Sequence, residues 1–158
     1  MTHADAIDTT AAAIRDVPGV NALFLSGSHG NGLADAWSDI DFVLVSDAGA
    51  TDDLAAAWRA AVAQVGDIVL WWDRTTVPFL INAITADWTR IDLLILKPEQ
   101  MARHAQSTLK PVFDPGGLYQ SLPVATGPQP VNTKRFLYQV EEFIRVLGLL
   151  HLVDGREE

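Results

Sequence analysis

Residues 24–45, FLSGSHGNGLADAWSDIDFVLV, constrain the fold of this chain more than any other stretch. They read as an apolar strand ending near Leu25, a small-residue turn beginning Gly27-Ser28, a short polar segment, and a second apolar strand carrying Asp39 and Asp41. Side chains alternate faces along a strand, so residues two apart project from the same side. Asp39 and Asp41 therefore present two carboxylates together, and their repulsion is costly unless a cation lies between them. Hard divalent ions such as Mg²⁺ take oxygen ligands and typically bind one or two carboxylates plus substrate phosphates. Gly27 allows the backbone to approach a ligand closely, and the amides after it are placed to face a phosphate. A phosphate cradle beside paired carboxylates implies nucleotide chemistry. The bland alternative is that Asp39 caps a turn and Asp41 is a solvated strand residue.

Composition narrows the function classes. A chain of 158 residues suits one compact domain, or one domain with the beginning of another. With 49% apolar and 20% charged residues, a packed core is expected rather than disorder. The absence of cysteine excludes disulfides and thiolate metal sites. No apolar run approaches a membrane span and the N-terminus lacks a signal-peptide layout, so the expected compartment is the cytoplasm and no membrane partner is expected. A formal charge of −9 argues against a general nucleic-acid binder, which needs clustered Lys and Arg. It favours a cationic acceptor, polyamine-like or aminoglycoside-like, unless the surplus carboxylates serve solubility alone.

In chain order, the spacing of Ile7, Ala11, Ala12 and Ile14 predicts a helix from about Ala4 to Asp16, ended by Pro18-Gly19. Val20–Leu25 is the first strand and Ile40–Val45 the second. His29 falls in the turn between them, where an exposed histidine without a role is the expectation, and Ser38 caps or shapes the turn before Asp39. A helix follows from about Asp52 to Gln64, burying Leu54, Ala57, Trp58, Ala61 and Val65, with Asp52 and Asp53 as N-terminal caps and Gly66 as its stop. Ile68–Trp72 is a third strand, on which Trp71 and Trp72 point to opposite faces. After the turn Asp73-Arg74-Thr75-Thr76, Pro78–Thr85 and Thr89–Leu96 form a hairpin around Ala86-Asp87-Trp88. Asp92 is embedded in the apolar run of its second arm, an expensive position unless a charge or metal compensates it. Pro98 opens a short helix to about His104, Val112-Phe113 is a brief strand, and Asp114-Pro115-Gly116-Gly117 is a turn.

Gly27-Ser28, followed after ten residues by Asp39-Ile40-Asp41, resembles the signature of the nucleotidyltransferase superfamily that includes DNA polymerase beta. The likeness is nearest to bacterial antibiotic nucleotidyltransferases, of the aminoglycoside and lincosamide type, and to minimal nucleotidyltransferases. Asp114 and Gly117 match an Asp-x-x-Gly that the antibiotic enzymes carry, extending the resemblance to about residue 120. It implies an α+β nucleotidyltransferase fold, a mixed twisted sheet flanked by helices with a C-terminal helix. It also implies Mg²⁺ held by Asp39 and Asp41 against a nucleoside triphosphate, ATP by family analogy, whose distal phosphates meet Gly27 and Ser28. Asp92 becomes the third carboxylate, binding a second metal or accepting the proton of an attacking hydroxyl. Glu141 and Glu142 are alternative bases on the acceptor side.

The domain organisation expected is a catalytic domain over 1–122, a linker over 123–131 rich in proline, and a C-terminal helix over 132–158 capped by Asn132 or Thr133. Phe136, Val140, Phe143, Leu147 and Leu150 recur at helical spacing, and Ile144, Val146 and Leu149 widen that face. Related enzymes begin a helical acceptor-binding domain here. The width of the face predicts a homodimer through this helix. The expected activity is transfer of NMP to a hydroxyl of a small acceptor. The alternatives are a minimal nucleotidyltransferase antitoxin acting on a small helical protein partner, or a non-catalytic dimerising module.

Overall fold

The computed structural model describes residues 1–74, 79–124 and 132–154. Thr75-Thr76 of the expected turn, Pro78 of the hairpin arm, most of the expected linker and residues 155–158 lie outside the described residues. Contacts divide the chain into two compact units, Met1–Ala125 and Thr126–Glu158.

The first unit is built on six strands, β1 (Val20–Leu25), β2 (Ile40–Ser46), β3 (Ile68–Arg74), β4 (Phe79–Thr85), β5 (Arg90–Leu96) and β6 (Lys110–Phe113). They form one mixed sheet in the order β3-β4-β5-β2-β1-β6. Among the described residues only β2 and β5 pair in parallel, with Ile40 opposite Ile91 and Asp41 opposite Asp92. A parallel pair needs a crossover, here supplied by α3 (Asp52–Val62) and the β3–β4 hairpin.

Alternation along β2 and β5 sorts the core into two layers. Ile40, Phe42 and Leu44, with Ile91, Leu93 and Ile95, bury themselves with Ala6, Ala11 and Ile14 of α1 (His3–Ile14) and Leu54, Trp58 and Val62 of α3. Val43, Val45 and Leu96 join Ala22 and Phe24 in a second cluster with Met101, Leu109 and Leu122. Asp41 and Asp92 fall in the alternation of this second face, beyond the end of its apolar cover.

The local devices differ from expectation in instructive ways. Helix α1 starts one residue early because Thr2 and Asp5 close a reciprocal capping box. Thr51, rather than Asp52 or Asp53, caps α3: its hydroxyl accepts from the Leu54 amide at 3.1 Å, and the two aspartates occupy the first turn. The expected turn at Gly27-Ser28 is a five-residue helical turn, α2 (Gly27–Asn31), ended by Gly32 at φ 77°. The segment Pro98–Arg103 winds as a 3₁₀-helix and Leu118–Ser121 as a short α4. The Asp114 carboxylate accepts from the amides of Leu118 and Tyr119, at 2.9 and 2.7 Å, tying the turn at 114–117 to α4.

The second unit contains α5 (Thr133–Asp154), where the Asn132 side chain accepts from the Arg135 amide at 3.1 Å, so Asn132 and not Thr133 is the cap. No helix among the described residues is long and apolar enough to cross a membrane.

Trp58 is fully buried and meets the Phe42 ring edge-to-face, with centroids 5.2 Å apart. Its indole Nε1 is buried without a hydrogen-bond partner among the described residues. Trp58→Ala is expected to cost about 3–5 kcal/mol by chemical denaturation. Trp58→Phe is expected to cost clearly less, because it forfeits no hydrogen bond.

Candidate active site

Three carboxylates meet where β2 and β5 begin. Asp39 is the last residue of the loop entering β2, Asp41 is the second residue of β2, and Asp92 stands opposite Asp41 on β5. One ligand atom from each lies within 4.8 Å of the others. Strand alternation brings Asp39 and Asp41 to one side; the parallel register adds Asp92 from a segment some fifty residues away in sequence. Asp92 is only 7% exposed, whereas Asp39 and Asp41 are half-buried.

Arg90, which the sequence analysis gave no role, compensates this charge. Its Nη2 donates to Asp92 Oδ2 at 2.5 Å and its Nε to Oδ1 at 3.3 Å, and Nη1 lies 3.6 Å from Asp39 Oδ2. The signal was available: Arg90 and Asp92 are two apart on a strand and so share a face. Asn82 is a second residue passed over. It stands opposite Asp92 on β4, and its Oδ1 is buried without a partner among the described residues.

Even with Arg90 present, the cluster is electrostatically loaded. Burial, then the charges of Asp39 and Asp92, push the Asp41 carboxyl above its ordinary range, and Arg90 only partly offsets them. The guanidinium of Arg90 is correspondingly held more firmly protonated, chiefly by its hydrogen bond to Asp92.

Gly27 lies directly against Asp41. A Cβ built on Gly27 would collide with Asp41 Oδ2, and its φ of 56° is one that side-chain-bearing residues rarely adopt. The Ser26 amide donates to the Asp41 carbonyl at 2.8 Å, which fastens the start of α2 to β2. Ser28 follows on α2, its Oγ buried and without a partner among the described residues. His29 is partly buried rather than exposed, lies edge-on to His3 at 5.4 Å between centroids, and has a buried, unpartnered Nε2. Burial, the neighbouring His3 and Lys110 lower its pKa and favour the neutral imidazole. Ser38 does shape the loop before Asp39, exchanging hydrogen bonds with Asp35 at 2.9 Å.

Glu141 and Glu142 belong to α5, in the second unit. Glu142 forms a two-point hydrogen-bonded pair with Arg145. That hydrogen bond lowers its pKa, making it a weaker base than an ordinary glutamate.

The donor set of Asp39, Asp41 and Asp92 is all oxygen and anionic, which fits a hard divalent ion. Because folded Asp41 releases its proton at a higher pH than an unfolded aspartate, its ionisation works against the fold as pH rises past 3.8. Asp41→Asn is therefore expected to raise the thermal midpoint of the protein in chelator by a few degrees at pH 7. The gain should shrink toward pH 4, as read by scanning fluorimetry across that range.

A family model described as a nucleotidyltransferase domain matches residues 8–70, a span that includes Gly27, Ser28, Asp39 and Asp41 and stops short of Asp92. No curated protein sequence matches the chain. Among solved structures, the chain is similar to the Cid1 poly(U) polymerase with bound MgGTP, at 20% identity and a TM-score of 0.47 over 63% of this chain and 32% of that one. It is similar to a cytoplasmic RNA terminal U-transferase at 22% identity and a TM-score of 0.45, over 63% of this chain and 29% of that one. A third likeness is to terminal uridylyl transferase 4 from Trypanosoma brucei, at 19% identity and a TM-score of 0.36, over 58% and 33% of the two chains. The present chain thus spans about a third of the length of these structures. The family match covers residues 8–70, so the likeness to a nucleotidyltransferase domain is that of this segment.

Proposed function

We propose that this protein is a divalent-metal-dependent nucleotidyltransferase. It would transfer a nucleoside monophosphate, with AMP from ATP as the first candidate, to a hydroxyl of a small acceptor such as an aminoglycoside-like or lincosamide-like antibiotic. The observation that carries the reading is the meeting of Asp39, Asp41 and Asp92 within 4.8 Å, against a glycine that admits no side chain.

In this reading Asp39 and Asp41 hold Mg²⁺ beside the triphosphate, and Gly27 and Ser28 contact its distal phosphates. The buried, unpartnered Ser28 hydroxyl is a donor suited to that contact. A bound divalent ion would supply charge stabilisation for the triphosphate and for the departing pyrophosphate. Asp92 holds a second ion or serves as base. As base it takes the proton of the acceptor hydroxyl, whose oxygen forms a new bond to the α-phosphorus. The bond from that phosphorus to the oxygen bridging to the β-phosphate breaks, and pyrophosphate leaves with the electron pair. Positioning and charge account for most of such catalysis.

We assign 1–122 to the catalytic domain, 123–131 to a linker, and 132–158 to the start of a helical acceptor-binding segment. A second role for the last segment rests on the exposure of Phe136, Phe143, Ile144, Leu147 and Leu150 along α5, each more than half accessible. Apolar exposure on that scale favours a homodimer through α5, or capture of a small helical protein as in the antitoxin reading. The cytoplasm is the proposed compartment.

Titration calorimetry of ATP with and without Mg²⁺ tests the nucleotide reading. Binding is expected to require the metal and to be lost in an Asp39→Asn/Asp41→Asn variant; metal-independent binding, or none in either protein, would overturn it. For α5, light scattering after gel filtration is expected to give a dimer that Phe143→Asp/Leu147→Asp converts to monomer. A wild-type monomer at high concentration would remove the dimer.

A further inference from the structure

Two of the most exposed large apolar side chains in the first unit are tryptophans that hide nothing. Trp37 is 94% accessible and Trp88 is 81% accessible. They are far apart in sequence, yet both line one open groove of about 520 Å³, together with His3, Asp39, Asp87 and Arg90. That volume is within the range of small-molecule sites.

Neither tryptophan sits on a slack loop. The Trp37 amide donates to Asp35 Oδ1 at 2.9 Å, and Ser38 Oγ donates to the same oxygen at 2.9 Å. The Trp88 amide donates to the Thr85 carbonyl at 2.9 Å, while the Thr85 hydroxyl donates to Asp87 Oδ1 at 2.6 Å. Trp88 is also the one non-glycine residue with positive φ among the described residues, at 66°. A bulky residue held in that region costs of order 1 kcal/mol or more, and such strain clusters at functional sites. Asparagine or glycine would suit this hairpin tip better, so the indole is present at a cost to the fold.

The charges in the groove give its preference. Arg90 is committed to Asp92 and Asp39, and the Met1 amino group also lines the groove, its charge acting on Asp87. Asp87 is exposed, and hydrogen bonds from the Thr85 hydroxyl and the Thr89 amide lower its pKa and keep it ionised. Indole faces attract ammonium groups through their quadrupole, most strongly for tryptophan. An ionised carboxylate in a groove lined by two exposed indoles suits a cationic ligand, and the net charge of −9 draws one in.

We infer that this groove is the acceptor subsite and that it takes an amine-bearing cation, whose ammonium groups meet Trp37, Trp88 and Asp87. The inference rests on the nucleotidyltransferase reading for its use but not for its binding. Asp39, shared by the groove and the carboxylate cluster, brings an acceptor hydroxyl to the transfer site.

Kanamycin is the probe, titrated calorimetrically without nucleotide into the wild type and into Trp37→Ala, Trp88→Asn and Asp87→Asn variants. Trp72→Ala, an exposed indole on β3 outside the groove, is the control. Each groove variant is expected to weaken kanamycin binding about tenfold or more, with the control unchanged and MgATP binding retained. Trp88→Asn suits its positive φ and Trp37 is on an exposed loop, so both variants should fold, as circular dichroism will confirm. Equal affinity in wild type and groove variants, or no kanamycin binding by the wild type, overturns the inference. So does Trp-dependent binding of oligouridylate in place of kanamycin. Failure of MgATP to bind would instead sink the transferase reading and leave the groove result standing.

Discussion

The parallel pairing of β2 with β5 is the constraint on which the rest of the first unit depends. It is the one parallel contact among the described strands, and it sets Asp41 opposite Asp92 on the two central strands of the sheet. Like charges at adjacent positions are unfavourable, and the register is held by the apolar pairs continuing along it, from Phe42–Leu93 to Val45–Leu96. A slip of one residue would turn Phe42, Leu44, Leu93 and Ile95 out of the helix-covered layer. The large core therefore fixes the small polar cluster, and the repulsion is tolerated because burial elsewhere outweighs it.

Two further elements adapt to that cluster. Arg90 supplies a cation from within the same strand as Asp92, so the protein itself compensates the carboxylates in part. Gly27 supplies space: the chain passes so near Asp41 that no side chain fits, and α2 starts from that contact. Ser28 and His29 then carry buried polar atoms with no partner among the described residues. Unsatisfied groups are rare in folded proteins and call for an explanation, such as a ligand that the fold awaits.

Much of the fold was legible in local pattern. Strand alternation and helical spacing give β1, β2, the β4–β5 hairpin and α3 to within a residue or two, because each buries a regular stripe of apolar side chains, and the start of α5 to within one residue. The misses share one cause. Thr51 and Asn132 won their caps over neighbouring residues equally suited by type, and the Gly27 turn wound into a helix, because hydrogen-bond geometry decides among adjacent polar residues. His29 was taken as exposed since its partners, His3 and Lys110, arrive from distant segments.

By itself, the sequence determined that Asp39 and Asp41 share a face, that Gly27 permits a close approach, and that Asp92 needs compensation. All three follow from the two-residue period of a strand and from the cost of burying charge. Tertiary structure decided what met them. Which strand pairs with β2, and in which register, depends on long-range packing, and only that pairing brings Asp92 to Asp41 and Asn82 to Asp92. Likewise Trp37 and Trp88 show no pattern in sequence; they share a groove because the loop entering β2 and the hairpin entering β5 are set side by side when those strands pair.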